Sequence, residues 1–189
     1  MSLWSQCSFQ DPNSPIMEEM IHFYDYAMLC IISFTILILY LFMFMLSNKM
    51  VNRFLMEGNL LEIIWTVIPM LFLIFLAIPS LNVLYLTDET NNPEVSIKAI
   101  GHQWYWSYEY NDFKSLSFDS FMVKEMSSKL FRLLDVDNRM VVPLKVQLRL
   151  LISSTDVIHS FAMPSLGIKV DAVPGRINQI SILINRPGL

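Results

Sequence analysis

The sequence predicts an α+β membrane protein: a two-helix transmembrane hairpin followed by a small Greek-key sandwich or barrel of β-strands. Three observations predict it. Two apolar runs are long enough to span a bilayer and carry no charge. The short segment between them holds the basic residues of the first half of the chain. After Asn92-Pro93 the long runs give way to short stretches separated by turn residues. The composition agrees, since hydrophobic residues make up 54% of the 189 and charged residues only 16%, whereas a soluble domain is about a quarter charged.

The first run is Ala27 to Leu46, 20 residues. As a helix it rises about 30 Å, the thickness of the hydrocarbon core. The second is Ile63 to Leu86, 24 residues. Pro69 and Pro79 fall inside it; they kink a helix but are tolerated where a neighbour covers the freed carbonyls. The expected organisation is an N-terminal tail (1–26), a first span (27–46), a loop (47–61), a second span (62–86) and an extramembrane domain (87–189).

Charge sets the expected orientation. Residues 1–94 carry two basic residues, Lys49 and Arg53, against nine acids. Both lie in the loop between the runs, so the positive-inside rule puts that loop on the cytoplasmic or matrix side and both termini on the outer side. Residues 95–189 carry eleven basic residues against eight acids. The net charge of −4 names no partner, and no nucleic-acid partner is expected. Residues 1–26 contain no Lys or Arg, unlike a secretory n-region or an organellar transit peptide. Insertion without a cleaved leader, or synthesis close to the membrane, is therefore expected. Of the two cysteines, Cys7 lies in the tail and Cys30 inside the first apolar run, so no disulfide is expected.

Beyond residue 94, strands are expected at Val95–Gly101, Trp104–Tyr110, Ser117–Lys124, Phe131–Val136, Lys145–Ser153 and Arg176–Ile184. In the fifth, Val146, Leu148 and Leu150 share one face while Gln147 and Arg149 share the other, the period-2 pattern of a half-buried strand. The turn signal Asn185-Arg186-Pro187-Gly188 follows the sixth directly. That strand is therefore expected as an open edge, with more chain or a partner to cover it.

Three constellations carry chemistry. The run Gly101-His102-Gln103-Trp104-Tyr105-Trp106-Ser107-Tyr108-Glu109-Tyr110, as a strand, aligns Trp104, Trp106, Tyr108 and Tyr110 on one face. They read either as a core and interface face or, at an exposed indole, as a contact through which electrons enter. His159 stands at a strand-to-loop transition, with Met163 nearby. A lone imidazole is either structural or a copper ligand. Glu62 opens the second run. It is either an interfacial carboxylate favoured by the helix dipole or a proton-pathway group.

Matching strings run in order along the whole chain. They are Gln10-Asp11 with Ser14-Pro15-Ile16-Met17-Glu18-Glu19, Glu62-Ile63-Ile64-Trp65-Thr66, Pro79-Ser80-Leu81, Gly101 to Tyr110, Leu133 to Arg139, Asp156 to Ser160, Pro174-Gly175-Arg176-Ile177-Asn178-Gln179 and Arg186-Pro187-Gly188-Leu189. In these the sequence resembles subunit II of cytochrome c oxidase, most closely the mitochondrial form. The resemblance implies a cupredoxin-like Greek-key β-barrel, here incomplete at its C-terminal end. It also implies a location in the mitochondrial inner membrane, with both termini in the intermembrane space. Electrons from reduced cytochrome c would enter at a dinuclear copper centre and pass to the haem–copper oxygen-reducing centre of subunit I, coupled to proton translocation. The expected partners are subunit I, the other oxidase subunits, cytochrome c and the lipid bilayer. By the family pattern, Trp104 is the tryptophan at which electrons enter, His159 is a copper ligand and Glu62 belongs to the mouth of a proton pathway. Glu109, Asp112, Asp119, Asp137 and Asp156 are the expected docking acids for cytochrome c, in a run that Lys114 interrupts, and Phe161 stands where the family often has Trp.

The family continues past Arg-Pro-Gly-Leu into a segment with two cysteines, a carboxylate, a histidine and a methionine. That segment supplies the thiolate bridges of the copper centre and a carboxylate for an interfacial magnesium. Without it, this polypeptide alone is expected to be inactive and to retain one copper ligand. Three readings stay open: the working chain is longer, a separate chain supplies the segment, or the chain is a membrane-tethered structural or assembly factor that lost the metal.

Overall fold

The computed structural model describes residues 4–54, 56–90, 92–113, 116–124 and 130–188. Lys114 and Leu189, used in the sequence reading, lie outside them. The chain divides into two compact units. One comprises residues 19–85, and the other residues 86–189 together with the first 18.

The helical unit is built on α1 (Pro15–Ser47) and α2 (Asn59–Asp88). Both are long and apolar enough to cross a membrane. Ser14 caps α1: its Oγ accepts from the Met17 backbone N at 3.0 Å. Pro15 occupies the first helical position, where a missing N–H costs nothing. The helix thus begins well before the charge-free run. At about 50 Å it exceeds the hydrocarbon thickness, and its acidic first turns (Glu18, Glu19, Asp25) are the surplus. Phe34 and Phe72 meet edge-to-face with ring centroids 4.9 Å apart. Phe34 lies 13 residues before the end of α1 and Phe72 lies 13 after the start of α2, the register of an antiparallel hairpin. Large apolar side chains stand exposed along both helices, among them Leu39, Phe44, Leu73 and Phe75, as a lipid or protein environment requires.

The β unit contains a five-stranded sheet and a two-stranded ribbon. The strands are β1 (Val95–His102), β2 (Tyr105–Tyr110), β3 (Leu116–Ser120), β4 (Gln147–Ser154), β5 (His159–Met163), β6 (Ile168–Ala172) and β7 (Asn178–Leu183). The sheet order is β3-β2-β1-β4-β7, with β1 and β4 parallel and the other pairs antiparallel. Among the described residues the sheet is not closed into a barrel: β3 and β7 are its edges.

Register explains the core. On β1, Ile97 stands between Tyr110 of β2 and Leu150 of β4, and Ala99 between Tyr108 and Ile152. All six are buried. The predicted alternation on β4 holds, with Leu148 and Leu150 inward and Gln147 and Arg149 outward. The β5–β6 ribbon supplies the second layer through Phe161, Ile168 and Ala172, which pack in the same cluster.

Several strand expectations change, among them the third, which runs Leu116–Ser120 in place of Ser117–Lys124. Phe131–Val136 is not a strand. Leu133 has φ 65°, and the buried Asp135 carboxylate accepts from the Phe131 N at 2.7 Å and from Arg139 at 2.6 Å, so local side-chain bonds outcompete a ladder. The β5–β6 ribbon adds two strands to the six expected; its sequence signal is the alternation Ile168, Val170, Ala172 around polar Lys169 and Asp171.

The N-terminal segment docks on the β unit. Asn13 N donates to Ser165 O at 2.8 Å and Asn13 O accepts from Asn185 N at 2.9 Å. Its side chain exchanges two bonds with the Arg186 backbone, at 2.7 and 3.1 Å. Ser14 Oγ donates to Leu166 O at 2.8 Å.

Candidate functional site

The site lies at one end of the sheet, where the β1–β2 turn meets the β4–β5 connection. His102 pairs with Tyr105, so Gln103 and Trp104 form a two-residue turn. Trp104 was expected on the β2 face; the turn takes it off that face and leaves it 89% exposed. Its former neighbours follow the prediction. Tyr108 and Tyr110 are buried and Trp106 packs on the core. Burial, with Tyr110 beside it, pushes the Tyr108 hydroxyl up to about 12. Tyr110 donates its hydroxyl to Val141 O at 2.8 Å.

His159 opens β5. Its Nε2 lies 2.7 Å from Asp156 Oδ1. The same carboxylate accepts from the Val157 N at 2.6 Å and Ser154 Oγ at 3.0 Å, and its other oxygen accepts from the Gln103 N at 2.8 Å. The His159 contact first, and then these donors, hold the Asp156 carboxyl well below the usual carboxylate range. One carboxylate therefore joins the imidazole to the turn that carries Trp104. The imidazole also lies over Gly101, where a Cβ would stand 2.9 Å from His159 Cδ2. A side chain there would displace the ring. Trp106 meets His159 edge-on at 6.1 Å and Phe161 at 5.1 Å.

The five predicted docking acids separate into two groups. Asp119 sits opposite Ser107 and accepts its hydroxyl at 2.7 Å. Asp137 accepts from the Phe121 N at 2.7 Å, and the Phe121 ring stacks on Tyr105 at 4.4 Å. Asp156 binds the Trp104 turn directly through the Gln103 N, while Asp119 and Asp137 lie on the β2–β3 side of it, through Ser107 and Phe121. Glu109 and Asp112 lie toward the other end of β2, Glu109 roughly 17 Å along the strand from Trp104 at about 3.3 Å per residue. Glu109 is ion-paired with Lys98 at 3.1 Å, and Asp112 accepts from the Ser96 N at 2.7 Å. Glu62 belongs to the helical unit, in the first turn of α2, where its N–H donates to Gly58 O at 3.0 Å.

Sequence reasoning passed over His102. Its Nε2 lies 2.9 Å from Ser107 Oγ and its Nδ1 2.8 Å from Thr155 Oγ1, and its ring stacks on Tyr105 at 4.5 Å with planes 6° apart. A polar residue beside a two-residue turn was the available signal.

A dinuclear copper centre needs soft thiolate bridges. Among the described residues no three His, Cys, Asp or Glu side chains converge as metal ligands. Cys7 is exposed in the N-terminal segment and Cys30 lies within α1. Among the described residues, only His159 suits such a centre, and the set does not fit the complete one.

Comparison with known proteins agrees along the length of the chain. The family model for the periplasmic domain of cytochrome c oxidase subunit II matches residues 95–189, and that for its transmembrane domain matches residues 2–83. Cytochrome c oxidase subunit 2 of Choristoneura rosaceana is 54% identical over a match covering 100% of this chain and 84% of its own length. That of Drosophila ambigua is 52% identical, with 100% and 83% covered. A crystal structure of the periplasmic domain of subunit II of cytochrome oxidase from Bradyrhizobium japonicum is 43% identical, covering 53% of this chain and 70% of that one, with a TM-score of 0.49. With both family models matched and these identities over its full length, this chain belongs to the cytochrome c oxidase subunit II family.

Proposed function

We propose that this chain is the cytochrome c-facing subunit of a mitochondrial cytochrome c oxidase. In that role it takes electrons from reduced cytochrome c at a dinuclear copper centre and delivers them toward the haem–copper centre of subunit I, coupled to proton translocation. The observation that carries the reading is the exposed Trp104 indole on a turn that Asp156 joins to His159. Asp119, Asp137 and Asp156 around that turn would guide a basic redox partner to the indole, since complementary charge acts chiefly on encounter and orientation.

His159 would furnish one imidazole to the copper centre. The thiolate bridges, the remaining ligands and the carboxylate for the interfacial magnesium would come from residues outside these 189, so the chain alone would be inactive. Glu62, at the basic-loop end of α2, would sit at the mouth of a proton pathway facing the matrix, with both termini in the intermembrane space. The reading extends the family assignment through Lys49 and Arg53 in the loop between the helices, which the positive-inside rule retains on the matrix side.

The test is copper content and the intact mass of this subunit, in oxidase purified from its native membrane. Two coppers per subunit, with a mass above the 22.0 kDa of this sequence, is the expected result. Two coppers at 22.0 kDa would assign the remaining ligands to a separate chain. A subunit of that mass with no copper would overturn the electron-accepting role and leave a structural one.

A further inference from the structure

We propose that His102 is a positioning residue for the reaction: it clips the β1–β2 turn shut and thereby fixes where the Trp104 indole is presented. The inference rests on the reading of Trp104 given above. The indole is almost fully exposed, so the backbone of its turn sets its position, and that backbone is bounded by His102 on one side and Tyr105 on the other. These two are register partners and stack face to face at 4.5 Å. Tyr105 in turn stacks on Phe121, which extends the clip to the end of β3.

The hydrogen bonds select the tautomer of the neutral ring. Asp119, a carboxylate, only accepts, so the single Ser107 hydroxyl proton points to it at 2.7 Å. Ser107 Oγ must then accept from His102 Nε2 at 2.9 Å. In the neutral ring, Nδ1 is left as acceptor for the Thr155 hydroxyl at 2.8 Å. The imidazole is thus held in one tautomer and one orientation, anchored to β2 on one side and to the β4–β5 connection on the other. That connection also grips the turn through Asp156 and Gln103 N. Both nitrogens of His102 are engaged by hydroxyls, Ser107 on one side and Thr155 on the other, so its effect is on geometry.

The test uses the assembled oxidase purified from membranes carrying His102→Phe, which keeps the stack and removes both hydrogen bonds, and Thr155→Val, which leaves His102 intact and removes one. Each is made alone and with Trp104→Ala. Haem absorption spectra check assembly. Steady-state oxidation of reduced cytochrome c gives kcat and KM. The expected result is a kcat lowered on the order of tenfold by His102→Phe and a few-fold by Thr155→Val, the scale of a displaced reacting group. KM should change little because the docking acids remain, and neither variant should lower kcat further once Trp104 is Ala. An unchanged kcat in His102→Phe overturns the inference. So does a raised KM at constant kcat, or a loss that persists undiminished without Trp104. If His102→Phe fails to assemble, Thr155→Val decides by the same criteria. A loss with Trp104→Ala but none with the others overturns this inference alone; no loss with Trp104→Ala overturns the reading of Trp104 and this inference with it.

Discussion

Asp156 and His159 are joined carboxylate to imidazole at 2.7 Å, and the far oxygen of the same carboxylate holds the backbone N of Gln103 at 2.8 Å. A single side chain thus connects the imidazole on β5 to the turn between β1 and β2. Its pull is electrostatic, because ionised Asp156 is the acceptor for every donor around it.

The first prediction follows from that ionisation. Asp156 is held below the ordinary carboxylate range in the fold, chiefly by His159. Its contribution to stability is complete above the unfolded carboxyl value of about 3.9 and is lost as the pH falls below it. Melting temperatures of the detergent-solubilised chain should fall as the pH is lowered from about 4 toward the much lower folded value. Asp156→Asn should be less stable at neutral pH and show a shallower fall. An equal slope in both would rule out this account. Asp135, lowered by the Phe131 N–H and Arg139, adds a slope of the same sign that both proteins share.

Gly101 is required by the His159 ring above it. In Gly101→Ala the new Cβ would meet Cδ2 at 2.9 Å, Cγ at 3.1 Å and Cβ at 3.2 Å. The near atoms include the root of the side chain, so the backbone must move. A loss of about 1–3 kcal/mol is expected, as for overpacking elsewhere. Denaturant titration measures it, and an unchanged midpoint would refute the close approach.

Trp104 should separate stability from function. Its side chain is exposed, so Trp104→Ala should change unfolding free energy by less than about 0.5 kcal/mol, as at other open surface sites. Oxidation of cytochrome c should nevertheless collapse. A variant that unfolds readily would instead place Trp104 in the structural scaffold.

The acids should not contribute equally to docking. Asp119→Asn and Asp137→Asn, beside the turn, should raise KM for cytochrome c several-fold at low ionic strength, with the effect fading above about 0.1 M salt. Glu109→Gln and Asp112→Asn should do much less, because both lie toward the end of β2 away from the turn and Glu109 is already paired with Lys98. Equal effects at all four positions would refute the two-group arrangement.

The lock between the N-terminal segment and the β unit should also be measurable. Asn13→Ala removes two side-chain bonds to the Arg186 backbone, each worth about 0.5–1.5 kcal/mol net. Hydrogen exchange at Arg186 N should quicken, while the core amides of β4 keep their protection.

By itself, the sequence determined what periodicity and charge encode. Two charge-free runs and a basic loop specify an apolar hairpin, because no soluble interior accommodates so many apolar residues with so few charges. Alternation on Val146, Leu148 and Leu150 specifies a strand with one buried face. Local rules failed where long-range or side-chain bonding decides. Phe131–Val136 reads as extended until the buried Asp135 carboxylate turns it back on itself. Trp104 reads as one more residue of an aromatic face until the His102–Tyr105 pair closes the turn around it. His159 can be picked from its neighbours in the chain. That its ring lies over Gly101, fifty-eight positions earlier, and that one carboxylate links it to Gln103, was decided only by the tertiary structure. The parallel pairing of β1 with β4 brings Gly101 beside Ser154, and such non-local register has no short-range signature in the chain.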